Sequence, residues 1–144
     1  MRPLSTIALV AMVGCGGRQA PPAVPAPVVT AACAVGDTAM VRDVVYFGRN
    51  RPGGGTVSDA DWRRFLDEVV TPQFPYGLTV VDATGWWRGQ SGVVEQERSE
   101  IVTVFHAGDP ASRRAIAEVA GEYKRRFQQE AVLRERSSTC ARFE

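Results

Sequence analysis

Apolar and polar positions change their rhythm along the chain, and the changes mark out six elements. Residues 40–47 (MVRDVVYF) are rich in β-branched and aromatic side chains and predict a first strand. Val45 and Phe47 face one way and Val44 and Tyr46 the other, so both faces are apolar, as a strand covered on each side requires. A long glycine-rich loop, residues 48–57 (GRNRPGGGTV), follows. The next segment changes to helical spacing, with Trp62, Phe65, Leu66 and Val69 on one face. Ser58 is placed to cap this helix, Asp59 and Asp61 suit its first turn, Val57 is positioned to staple onto Trp62, and Pro72 is expected to end it.

Residues 77–87 (GLTVVDATGWW) predict a second strand, residues 88–92 a hairpin turn and residues 99–106 (SEIVTVFH) a third strand. Asp109 and Pro110 then open a second helix, whose apolar stripe is Ile116, Val119, Tyr123 and Phe127. Residues 131–136, continuing to Phe143, read as a charged edge strand. The order β-α-β-β-α-β predicts an α+β, ferredoxin-like domain: a four-stranded antiparallel sheet with two helices on one face.

Ahead of this domain the pattern is of another kind. Arg2 precedes the apolar run Leu4 to Val13, and small residues follow, the layout of an export signal. The run is shorter than the roughly 20 apolar residues that span a bilayer. Cys15 follows Val13 and Gly14 and resembles the lipobox cysteine of bacterial lipoproteins, with Met12 where leucine is usual. Residues 1–14 are therefore expected to be a lipoprotein-type signal peptide. Residues 15–36 would be a lipidated N-terminus and Pro/Ala-rich tether, with four prolines between residues 19 and 30, and residues 37–144 a single domain. Such a protein is a lipid-anchored, periplasm-facing component of the cell envelope. Gly16 takes the place of the aspartate linked to inner-membrane retention, which favours the outer membrane.

Composition narrows the chemistry. The chain has 17 Lys+Arg against 16 Asp+Glu, and loss of Arg2 with the signal leaves 16 against 16. A neutral domain lacks the basic face that nucleic acid requires. If Cys15 carries lipid, Cys33 and Cys140 remain as a pair in a compartment where a disulfide persists. The predicted topology places the approach to the first strand beside the end of the last, which brings these two cysteines together. A single histidine and two distant cysteines give no zinc-ligand spacing, and no cofactor motif is present. The glycine-rich loop invites a phosphate-binding reading, but no Lys-Ser/Thr pair follows the glycines and two aspartates occupy the turn where the anion would sit.

Candidate site residues are few. His106 at a strand end is a possible general base with Glu97 or Glu100 near it in sequence, and Tyr46 lies on the sheet face that the helices leave open. One of Trp86 and Trp87 is expected in the core and the other at its rim. An apolar open face would serve as a homodimer interface or a ligand cleft.

The stretches YFGRNRPGGGTVSDADWRRFLDEVVTPQFPYGLTVVDATGWWRG, ERSEIVTVF and YKRRFQQEAVLR, in order between Tyr46 and Phe143, carry a resemblance. They are similar to a family of small bacterial exported proteins and lipoproteins known as domain of unknown function 3574. The resemblance implies a location and no activity, cofactor or catalytic residue. Two functional expectations follow. One is a membrane-anchored, non-enzymatic binding or interaction module. The other is a small cofactor-free enzyme of dimeric α+β barrel type, with His106, Tyr46 and Glu97 in an apolar pocket.

The anchor is directly testable: cells fed labelled palmitate are expected to label the wild-type chain and not the Cys15→Ser variant. Equal labelling of both would remove the anchor.

Overall fold

The computed structural model describes residues 32–144, so the expected signal peptide, Cys15 and most of the tether lie outside the described residues. The first strand, β1 (Thr38–Gly48), buries Val45 and Phe47 under the helices and turns Val44 and Tyr46 to the other face. Ser58 caps the next helix, α1 (Asp59–Phe65), its Oγ accepting the Asp61 N–H at 3.1 Å. Val57 and Trp62, the two staple positions, are both in the core.

Pro72 does not stop this helix as expected. The backbone widens into a π-helical turn (Leu66–Val70), where the Thr71 N–H reaches back five residues to the Leu66 carbonyl, and then continues as α2 (Thr71–Gln73). A proline supplies no N–H and its ring crowds the preceding turn. The wider turn accommodates it at the start of a fresh helical segment.

β2 (Thr79–Arg88) and β3 (Val94–His106) form a long hairpin. β3 begins at Val94 rather than Ser99, because the backbone of residues 95–98 continues the ladder with β2 out to Arg88↔Val94. Asp109 caps α3 (Pro110–Phe127) by accepting the Ser112 N–H at 2.9 Å, and Gln128 ends it in the left-handed conformation. β4 (Leu133–Ala141) then runs along β1.

The sheet order is β2-β3-β1-β4, with every neighbouring pair antiparallel and the helices on one face. This is the ferredoxin-like arrangement, and β4 is an edge strand as its charges imply. The core is centred on Phe47, whose ring lies 4.7 Å from Tyr123, 5.4 Å from Trp62 and 5.9 Å from Phe65. Such tilted and edge-on contacts add to simple burial. The Tyr123 hydroxyl donates to the Gly48 carbonyl at 2.9 Å, tying the helix layer to the end of β1.

The open face is less apolar than expected. Val44 is buried on it, and Val81, Phe105 and Leu133 are exposed, but Arg42 and Glu135 pair across it at 3.8 Å. At the opposite end of β1 from Gly48, Cys33 and Cys140 form the expected disulfide, with a Cα–Cα distance of 5.5 Å and a sequence separation of 107. Replacing both cysteines with serine is expected to cost up to about 4 kcal/mol, since a loop this long loses its closure constraint. Urea denaturation reads the change; identical midpoints with and without the bridge would contradict it.

Candidate functional site

Three polar assemblies stand out, and only one is open to a ligand. The first contains His106. Because His106 lies opposite Val41 in the ladder, it shares the helix-covered face with Asp43, and its Nε2 is 2.7 Å from Asp43 Oδ2. Its Nδ1 accepts the Gly108 N–H at 2.9 Å, so the ring proton is on Nε2 and is donated to Asp43. Asp43 is fully buried, and Arg134 and Arg136 each donate to it through Nε and Nη2 at 2.9–3.0 Å. These bidentate pairs join β4 to β1 around one carboxylate.

The expected grouping of His106 with Tyr46 and Glu97 therefore does not form. Tyr46 is on the other face, and five residues of strand place it roughly 17 Å along the sheet. Glu100 is similarly remote, opposite Phe47. The histidine, the sequence's strongest candidate base, positions a buried carboxylate instead.

The second assembly centres on Arg49, which is 2% exposed. Its Nη1 donates to Glu100 at 2.5 Å, its Nη2 to Asp59 at 2.8 Å and its Nε to the Val57 carbonyl at 2.8 Å. Arg98 extends the network by donating to Asp59 and to Asp82, each at 2.6 Å. Burial pushes the Glu100 carboxyl up from its ordinary range and the Asp82 charge adds to this, while Arg49 opposes both. Asp59 is held low, first by its hydrogen bond from Arg49 and then by the charge of Arg98. The network anchors both ends of the glycine-rich loop, since Arg49 also exchanges backbone bonds with Arg98 and Val57.

The third assembly is a cleft of about 820 Å³ at the Gly48 end of the sheet, a size common among small-molecule sites. Three connections converge on it: the glycine-rich loop, the β2–β3 turn and the residues that join α3 to β4. Tyr46 and Ser99 contribute from the open face, Trp86 and Trp87 from the hairpin, and Leu133 from β4. Neither tryptophan is in the core. Trp86 is 67% and Trp87 47% exposed: as neighbours on a strand they face opposite ways, Trp86 on the helix side near the end of the hairpin and Trp87 on the open face.

Glycine makes the close approaches possible. A Cβ on Gly48 would collide with the Glu97 carboxylate, which lies against the backbone and accepts the Asn50 N–H at 3.2 Å. Glycines 53–55 all have positive φ, between 81° and 102°, a conformation that other residues resist. The loop's base is held by Gln129, whose Nε2 donates to the Asn50 carbonyl at 2.6 Å. Glu95, Glu97 and Glu130 line the cleft, and none of them is ion-paired among the described residues.

Of the residues singled out from sequence, the structure brings Tyr46 and Glu97 to this cleft and joins Cys33 to Cys140. Among the described residues no cluster of His, Cys, Asp or Glu is grouped to hold a metal ion, and no helix is long and apolar enough to cross a membrane.

Fold and cleft define a small α+β domain with a recessed, aromatic-lined site at one end of its sheet. The chain belongs to the family described as protein of unknown function (DUF3574), which matches residues 42–143 and so takes in nearly all of the sheet, α1 to α3 and the whole cleft. No curated protein matches the chain. Among solved structures it is similar to a phage SAM lyase in complex with S-methyl-5'-thioadenosine, with a TM-score of 0.56 and 13% identity over 80% of this chain and 96% of that one. The apo form of a phage SAM lyase gives a TM-score of 0.52 and 16% identity over 76% of this chain and 92% of that one. At these identities the likeness is one of fold.

Proposed function

We propose that the protein is a membrane-tethered module of the cell envelope that binds a small organic ligand in the cleft beside Tyr46, Trp87 and Glu97. The supporting observation is the convergence of exposed aromatic rings and unpaired carboxylates on one recess. Aromatic faces attract cations, carboxylates add to the attraction, and a planar group gains by stacking on an indole. The favoured ligand is thus a planar molecule that carries positive charge.

Binding is preferred to catalysis because the one histidine is fully engaged on the other face with Asp43 and Gly108. The enzymatic alternative, a small cofactor-free enzyme working in this cleft, draws support from the fold shared with the phage SAM lyase. S-adenosylmethionine joins a sulfonium cation to a planar base, so it fits the chemistry of the cleft and is the first ligand to test. Lipid attachment at Cys15 would tether the domain, and pairing of open faces in a homodimer would cover Val81, Phe105 and Leu133.

Native mass spectrometry of the full chain in detergent tests these readings together. The expected result is a one-to-one S-adenosylmethionine complex that remains chemically intact and is lost in the Trp87→Ala variant. Conversion of the compound to products would select the enzymatic alternative. Absence of a complex with S-adenosylmethionine would contradict this ligand class.

A further inference from the structure

The cleft is not uniformly acidic. Arg51 lines it and is held in place by its own backbone, whose N–H donates to the Gly55 carbonyl at 3.0 Å and whose carbonyl accepts the Gly54 N–H at 3.1 Å. Its guanidinium lies over the Phe127 ring, 5.3 Å from the centroid. The Nε is buried and has no hydrogen-bond partner among the described residues, and the paired carboxylate of Asp61 stands 3.9 Å from Nη2, beyond hydrogen-bond distance. A buried guanidinium donor with no acceptor is unfavourable, and the fork it belongs to is shaped for a carboxylate. The rest of the side chain is partly exposed, so the Nη groups, which make no hydrogen bond among the described residues, are the donors within reach of a ligand.

On the sheet side of the same recess the situation is reversed. Glu97 accepts one backbone N–H, from Asn50, and Glu130 one, from Gln90, yet neither these carboxylates nor Glu95 meets a cation among the described residues. Glycines 53–55 stand beside Arg51 with nothing within 4 Å of where a Cβ would be, so a ligand has unobstructed access to the loop backbone. The exposed indoles of Trp86 and Trp87 lie along the cleft as well. Three carboxylates without a cation, and an arginine whose paired carboxylate stands beyond hydrogen-bond distance, thus line a single cavity among the described residues.

Resting on the reading of the cleft as a ligand site, we infer that its ligand is a zwitterion of amino-acid type: a carboxylate taken by Arg51, an ammonium facing Glu97, and a planar body against Trp87, which shares the face of Glu97. Arg51 is the specificity-determining residue for the acidic end. A cation without a carboxylate would leave the arginine donors unused, and an acid without an ammonium would meet the glutamates unfavourably.

Isothermal titration of the full chain with L-tryptophan, tryptamine and indole-3-propionate tests this, because the three probes share a ring and differ in charge. L-Tryptophan is expected to bind about tenfold or more tighter than either partial analogue, the scale of one charge-assisted hydrogen bond. Arg51→Met keeps a side chain over Phe127 and is expected to abolish the preference over tryptamine; Glu97→Gln is expected to abolish the preference over indole-3-propionate. Tryptamine that binds the wild-type chain as tightly as tryptophan would overturn the inference and leave the ligand-site reading standing. Failure of all three to bind at millimolar concentration would remove both. The wild-type comparison decides the matter even if a variant does not fold.

Discussion

Arg49 and Glu100 form an ion pair that is almost wholly excluded from water, at 3% side-chain exposure each. Separating such a pair by removing one partner leaves an uncompensated buried charge, at a cost of about 3–5 kcal/mol. Here the pair does more than compensate charge. Arg49 is the first residue beyond β1, and its three hydrogen-bond acceptors belong to β3, to α1 and to the far end of the glycine-rich loop. One side chain thereby sets where β1 ends, where α1 begins and how the intervening loop is looped back. Asn50↔Thr56 bridging and the Gln129 bond to Asn50 then close the loop's base, while its glycine tip is left standing over the cleft.

The domain has two distinct ends. The chain enters β1 beside the disulfide, and the cleft lies at the other end of the same strand. Between them the Asp43 assembly joins β4 to β1, and the Phe47 aromatic cluster joins the sheet to the helices. The edge strand that carries Cys140 also supplies Arg134 and Arg136. One covalent and several ionic contacts consequently hold β4 in register, where an edge strand has backbone partners on one side alone.

Much of this fold was legible in the sequence because its signals are local or periodic. The capping residues Ser58 and Asp109, the helical stripe that ends at Phe127 and the opposed faces of β1 each follow from a few adjacent positions. The disulfide was legible through topology. What escaped depends on pairs far apart in the chain: Arg49 with Glu100 at a separation of 51, and Asp43 with Arg134 and Arg136 at 91 and 93. A signal was present, since a lone aspartate inside an apolar strand demands a cation and β4 carries two arginines in alternation. The predicted topology made the first and last strands neighbours, but pattern alone did not give the register that sets Arg134 and Arg136 around Asp43. His106 misled for a related reason: its face was set by the register Val41↔His106, which turns it under the helices. The cleft was only half visible, with Tyr46 and Glu97 anticipated and the exposure of both tryptophans missed, because aromatic residues next to a turn are as easily core as rim.

Arg49 is the residue that holds the cleft loop. Amide hydrogen exchange of the wild-type chain and the Arg49→Met variant reads this residue by residue. The Arg51 and Val57 amides, bonded to Gly55 and Arg49 in the intact loop, are expected to exchange at least about tenfold faster in the variant, while the β1–β3 ladder stays protected. Unchanged exchange at Arg51 and Val57, or equal acceleration across the whole sheet, would contradict it.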